Sequence, residues 1–145
     1  MIAVDTNILV YAHRRDSEWI APAASCLKEL AEGQAAWALP WPFIHEFIAI
    51  TTDDKIFNPP SNINDAIAQV EAWMASPSLL LLTESGRHWD SLVPLLTSAR
   101  IRGPMVHDAR IAALCVQHGV RELWTADRDF SRFRDITVRN PLIAV

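Results

Sequence analysis

Ile2-Ala3-Val4-Asp5-Thr6-Asn7-Ile8-Leu9-Val10-Tyr11-Ala12 opens the chain, and its first three residues read as a short buried strand closed by Asp5. Near the other end, Leu123-Trp124-Thr125 reads the same way and is followed by Asp127. In an open α/β sheet the carboxyl ends of parallel strands form the ligand side, so both carboxylates are expected to emerge there. Glu46 lies in a helical segment over residues 42 to 48, where apolar neighbours anchor the backbone. Asp108 falls in the first turn of a helix that continues through Ile111 and Leu114, where the helix dipole favours a charged carboxylate. An acid there is also an ordinary stabiliser of a helix start, but beside Asp5 and Asp127 the ligand reading gains weight. Carboxylates sharing one site cannot all stay ionised unless protons or cations compensate. An all-oxygen set suits hard Mg²⁺ or Mn²⁺. The expectation is a divalent-metal site on Asp5, Glu46, Asp108 and Asp127.

Working outward, apolar runs alternate with helix-like segments, the pattern of a parallel sheet covered on both faces. Strands are expected at residues 2 to 4, 35 to 39, 79 to 82, 122 to 125 and 136 to 138. Ile63, Ala66, Ile67, Val70, Trp73 and Met74 follow helical spacing, with Ser61 or Asn62 as the cap. Ala109, Ala112, Ala113 and Val116 form another apolar stripe, terminated by Gly119 after His118. Residues 53 to 61 read as a loop between helices, and Arg102-Gly103-Pro104 as a second break. Pro94 interrupts a helical stretch from about residue 87 to 101, so a kink or a boundary is expected nearby.

The 145 residues, 50% of them hydrophobic, fit one domain spanning 1 to 145. No apolar stretch approaches the ~20 residues that span a membrane, and no signal segment opens the chain. The reading is a cytoplasmic protein with no membrane partner. Cys26 and Cys115 lie in amphipathic helical patterns away from metal-spaced partners and read as buried, reduced thiols. The net charge is -4, but the four proposed site acids account for all of it, and 11 of the 13 basic residues are arginines. Arginine suits bidentate phosphate contact, so the charge permits an RNA partner. Most of the 6 tryptophans read as core, with Trp37 and Trp124 in strands and Trp73 on an apolar helix face.

The motifs carry a resemblance. Val4-Asp5-Thr6-Asn7-Ile8-Leu9-Val10-Tyr11-Ala12 resembles the opening motif of PIN domains, especially the VapC-type toxins of bacterial toxin–antitoxin pairs. Glu46-Phe47 resembles the second acidic motif, His107-Asp108-Ala109 with Ile111-Ala112-Ala113-Leu114 the third, and Thr125-Ala126-Asp127-Arg128-Asp129-Phe130 the fourth. Each is weak alone, but their order over nearly the whole chain makes the combined signal specific, with residues 53 to 100 contributing least. The resemblance implies a three-layer α/β/α sandwich around a parallel sheet of about five strands. It also implies Mg²⁺- or Mn²⁺-dependent endoribonuclease activity on transfer or ribosomal RNA, a homodimer, and a cognate antitoxin of VapB type. Residue by residue, the acidic site falls on Asp5, Glu46, Asp108 and Asp127, with Thr6, Asn7 and Thr125 beside it as orienting groups. Asp129 is either a fifth acid or a solvent-facing residue of a short helix.

A metal-activated water needs no ribose hydroxyl, so the expected products end in 5′-phosphate and 3′-hydroxyl. His45 and His107 precede two of the acids, but adjacent helical positions point about 100° apart, and no histidine pair has the i, i+4 spacing of a helical zinc motif. They are not read as ligands. A signalling receiver domain needs a late strand-end lysine, whereas Lys28 and Lys55 are early; an aspartyl-phosphate phosphatase wants an acid where Asn7 stands. The alternative that survives is a PIN-like RNA-processing nuclease or RNA-binding module without toxicity. Arg128, Arg132 and Arg134 beside the fourth motif either guide phosphate or form an ordinary basic face.

Overall fold

The computed structural model describes residues 1–143. Five strands, β1 (Ile2–Val4), β2 (Trp37–Pro40), β3 (Leu79–Leu82), β4 (Glu122–Trp124) and β5 (Thr137–Arg139), form one sheet in the order β3-β2-β1-β4-β5. Every pairing is parallel. Six helices connect them: α1 (Thr6–His13), α2 (Ile20–Glu32), α3 (Trp41–Thr51), α4 (Ile63–Met74), α5 (His88–Ser98) and α6 (Met105–Gln117). A 3-10 turn, Asp129–Arg132, precedes β5.

Strand alternation divides the core into two layers. Ala3, Ala38, Leu82 and Leu123 face a cluster with residues of α5, α6 and the 3-10 turn. Val4, Trp37, Leu39 and Trp124 face the other way, against α1, α2, α3 and α4. Because successive strand residues point to opposite faces, three- and four-residue strands suffice to serve both layers, which explains the continuous apolar sequences of β1, β2 and β3. The result is the expected α/β/α sandwich. Chain order runs outward from β1 in both directions, so the crevice between β1 and β4 is the topological switch point of the sheet, where open α/β folds place ligands.

Several local readings change. β2 begins at Trp37 rather than residue 35. α5 runs through Pro94 with no boundary there and ends at Ser98. Pro94 and Asp90, four residues before it, are both exposed, so the backbone carbonyl deprived of its N–H partner lies on the wet side of the helix. Half of the α4 stripe is exposed, namely Ile63, Ile67 and Met74, while Ala66, Val70 and Trp73 are buried. α4 packs on α3, a narrower contact than a sheet face provides. Asn62, not Ser61, caps α4, its Oδ1 accepting from the Asp65 amide at 2.8 Å. Cys115 is buried but Cys26 is only half-buried, and both are free thiols. Trp37, Trp73 and Trp124 are core, whereas Trp41 and Trp89 are exposed.

Candidate active site

Asp5 does two jobs at the end of β1. Its extended backbone and its carboxylate cap α1, with Oδ1 accepting from the Thr6 amide at 2.6 Å. Its Oδ2 accepts from the Thr125 hydroxyl at 2.7 Å, across the switch-point crevice. The β1 and β4 register pairs Val4 with Trp124, so the next residue of each chain segment meets at the carboxyl edge of the sheet.

Thr125 is the hub of the site. Its hydroxyl donates to Asp5 and accepts from Asn7 Nδ2 at 3.0 Å and from the Asp127 amide at 3.0 Å. One donor and two lone pairs are all a hydroxyl has, and all are used. Asn7 also accepts from the Ala126 amide through Oδ1 at 3.2 Å, and Asp127 Oδ1 accepts from the Asp129 amide at 3.2 Å. The loop after β4 is thereby laced to the first turn of α1. Thr6 is buried and its hydroxyl points to the Phe43 carbonyl at 3.5 Å, which ties the cap to the start of α3.

Electrostatics connect the remaining acids. Asp5 is 7% exposed, and its carboxyl is pushed up to about 6, by burial first. The hydrogen bonds from Thr125 and Thr6 oppose that rise, and the charges of Glu46 and Asp127 add to it. Asp108 is half-buried and also raised, by burial first and then by Asp129, with Arg132 opposing and Asp127 adding. Glu46 is exposed on α3 and reaches the group only through its field at Asp5. The charges of Glu46 and Asp127 are felt at Asp5, and those of Asp127 and Asp129 at Asp108, so the proposed acids share one electrostatic neighbourhood. Among the described residues no three His, Cys, Asp or Glu side chains converge as a ready-made metal cage.

The donor chemistry nevertheless fits a hard divalent cation. Mg²⁺ keeps several of its waters and is usually held by one or two carboxylates, so an open pair suffices. Each Asp5 oxygen accepts a single hydrogen bond here and retains lone-pair capacity. A cation beside Asp5 and Asp127 favours the charged Asp5 carboxylate against the burial and the neighbouring charges that raise it. Histidine contributes little: His13 is held between Gln69 and Ser61, and His118 Nε2 lies 2.9 Å from the Thr83 carbonyl. Beneath the site, the Cys115 thiol is pushed up to about 12 by burial and by the Asp5 charge, which makes it unreactive. The hub role of Thr125 went beyond what the sequence specified; only its place between two acidic signals could have suggested it.

Comparisons with known proteins agree with this architecture. Residues 2–136 match the PIN domain family. Ribonuclease VapC43 of Mycobacterium tuberculosis is 34% identical over 142 residues, covering 98% of this chain and 96% of that protein. The structure of VapBC2 from Rickettsia felis, bound to a DNA fragment from its promoter, superposes with a TM-score of 0.69 at 19% identity, covering 97% of this chain and 98% of that one. Mycobacterium tuberculosis VapC20, described as a sarcin-ricin loop cleaving toxin, superposes with a TM-score of 0.62 at 14% identity, covering 90% of this chain and 93% of its own. With a family match over residues 2–136, a ribonuclease relative matched over nearly the whole of both chains and an acidic site at the sheet's switch point, the chain belongs to the PIN-domain family, alongside the VapC ribonucleases.

Proposed function

We propose that the chain is an endoribonuclease and the toxin of a toxin–antitoxin pair, acting as one PIN unit on RNA with a divalent cation, Mg²⁺ or Mn²⁺. The observation that carries the reading is the hydrogen-bonded unit of Asp5, Thr125, Asn7 and Asp127 at the switch point. The likeness to ribonuclease VapC43 over 98% of the chain supports the same activity. Asp5, Glu46, Asp108 and Asp127 are the residues that would hold the cation, and the Asp129 amide donates to Asp127 Oδ1 and steadies it.

When bound, the cation lowers the pKa of a water and offsets charge on the attacked phosphodiester. Thr6 and Thr125 hold the Asp5 carboxylate in place from opposite sides, so it is oriented before substrate arrives. Arg132 offsets part of the Asp108 charge and moderates repulsion of the phosphate. Products carry 5′-phosphate and 3′-hydroxyl ends. The substrate is a structured RNA with an accessible loop, in the transfer or ribosomal class; VapC20, a loop-cleaving relative by fold, points the same way. A VapB-type antitoxin restrains the enzyme, as the VapBC2 complex suggests; the toxin's homodimer and its place in the cytoplasm are carried over from the family resemblance. Among the described residues no helix is long and apolar enough to cross a membrane.

Purified protein is expected to cut RNA with Mg²⁺ or Mn²⁺ and to stop when the metal is chelated, and Asp5→Asn is expected to fold yet cut at no measurable rate. Cleavage that persists after rigorous chelation rejects the mechanism. Expression without a partner is expected to arrest growth, and co-expression of the neighbouring antitoxin gene to relieve the arrest. A harmless wild-type chain rejects the toxin assignment while leaving the nuclease chemistry open to the first assay.

A further inference from the structure

A cavity of about 430 Å³ lies between the carboxyl end of α5 and the residues that follow the 3-10 turn. Leu95 and Phe133, both buried, give it apolar walls, while Arg100, Arg132 and Arg134 line it with exposed guanidinium groups. Asp135 is its one carboxylate, so the lining carries an excess of positive charge in a chain whose net charge is -4. Among the described residues the ion pairs are Arg14 with Asp16, Arg110 with Glu84, and Arg139 with Glu122. None of the three cavity arginines takes part. Arg132 spends its Nε on the Asp129 carbonyl at 3.0 Å, which leaves its terminal nitrogens available.

Arg100 is held in the left-handed region at φ 54°, directly after the α5 cap. Glycine is the usual occupant of that position because a Cβ is strained there. A helix carboxyl end attracts a cation, and that accounts for one arginine. It does not account for two more arriving from a different element on the same concavity. The cavity also adjoins the fourth acidic motif, since Arg132, which lines it, donates to the Asp129 carbonyl.

We propose that this cavity is a phosphate-binding subsite for the RNA, taking the phosphodiester of a nucleotide that flanks the one cleaved. The proposal rests on the nuclease reading and adds to it where the substrate backbone runs, away from the acids and over Arg132 towards Arg100 and Arg134. Guanidinium forks match phosphate oxygens in bidentate geometry, and the apolar walls accommodate a ribose or base edge.

The test uses the full chain in the Asp5→Asn background with Mg²⁺, so that RNA is bound without being consumed. Binding of a fluorescein-labelled single-stranded RNA of random sequence is followed by anisotropy over a range of salt. Adding Arg100→Gly and Arg134→Gln is expected to weaken binding about tenfold at low salt and to flatten the slope of log affinity against log salt by about 0.7 for each phosphate no longer neutralised by an arginine. Arg134→Lys, which keeps the charge, is expected to retain most of the slope. Thermal melts check that the variants fold, and Arg100→Gly alone is expected to melt no lower than its parent. Unchanged affinity and slope, with the wild-type protein still cutting RNA, overturn the subsite and leave the nuclease reading standing. A wild-type chain that neither cuts nor binds RNA overturns both. If the double variant keeps RNA but loses binding of poly-glutamate, the cavity serves an acidic protein partner and the proposal falls.

Discussion

Thr125 satisfies three partners with one hydroxyl, and each partner depends on it for position. Thr125→Val keeps the shape but leaves the Asn7 amide and the Asp127 backbone N–H without their acceptor. The expected cost is about 1 kcal/mol of stability, the low end for stranded donors because both are only part-buried, with cleavage falling at least about tenfold. Thr125→Ser is expected to restore both, as urea melts and single-turnover cleavage can check. Asp5 offers a second measurement. Its carboxyl titrates near 6 in the folded protein because it is buried, whereas the unfolded chain releases the proton near ~4. Between those values the folded state holds more protons, so the metal-free protein loses stability as pH rises through that window, by up to roughly 3 kcal/mol. Asp16 and Glu84, both held low by arginine partners, pull the other way, so the decline is isolated as the difference between wild type and Asp5→Asn. A pH profile identical in both proteins would show that Asp5 is not destabilised by its surroundings. At this scale the acids were readable because strand ends and helix starts mark themselves locally. Thr125 was legible only through the family resemblance, as an orienting group; its three bonds were not legible locally, since threonine at a strand end is equally at home as a β-former, and its bond to Asp5 spans 120 residues.

Two helices end in the same way with different residues. α6 stops at Gln117, and the Val120 amide donates to the Cys115 carbonyl at 2.8 Å while Gly119 sits at φ 74°. α5 stops at Ser98, and the Ile101 amide donates to the Leu96 carbonyl at 3.1 Å while Arg100 takes the left-handed position. Both are Schellman-type ends. Gly119→Ala is therefore expected to destabilise by about 1 kcal/mol, and Arg100→Gly to stabilise by a similar amount. Thermal melts should move in opposite directions; equal shifts would mean that local packing, not the backbone, sets both ends. Gly119 was visible in the sequence as a terminator, because glycine after an apolar helical stripe signals its own use. The end of α5 was not visible, because an arginine gives no such sign and Pro94 drew attention to the wrong place. The α4 stripe was read too wide for a related reason. Helical periodicity reports which residues share a face, but the width that is buried depends on whether a sheet or a single helix lies opposite.

At the scale of the whole molecule, the parallel order and the two-layer core followed from the alternation of apolar runs with helices, and the strand order placed the acids at one edge. Burial raises the Asp5 and Asp108 carboxyls in the metal-free protein, and neighbouring acids add to it. Mg²⁺ is expected to raise the melting temperature of the wild type by several degrees when present well above its dissociation constant, because a ligand bound only to the folded state stabilises it by mass action. Asp5→Asn is expected to lose most of that gain. An equal rise in both proteins would place the ion somewhere other than beside Asp5.

The bond between Asp5 and Thr125 joins the first strand to a residue 120 positions later. β1 is the middle of the sheet, yet its partner β4 is the fourth strand to be made. During translation, therefore, Asp5 leaves the ribosome 120 residues before Thr125 and lacks that partner until it has followed. Contacts of such long sequence separation also form slowly. A nascent or truncated chain lacking residue 125 has the first acid but no hub to hold it and no fourth motif to complete it. For a ribonuclease made among the RNA it can cut, the topology of the sheet completes the site last, and a chain that ends before residue 125 is expected to be inert in the cleavage assay.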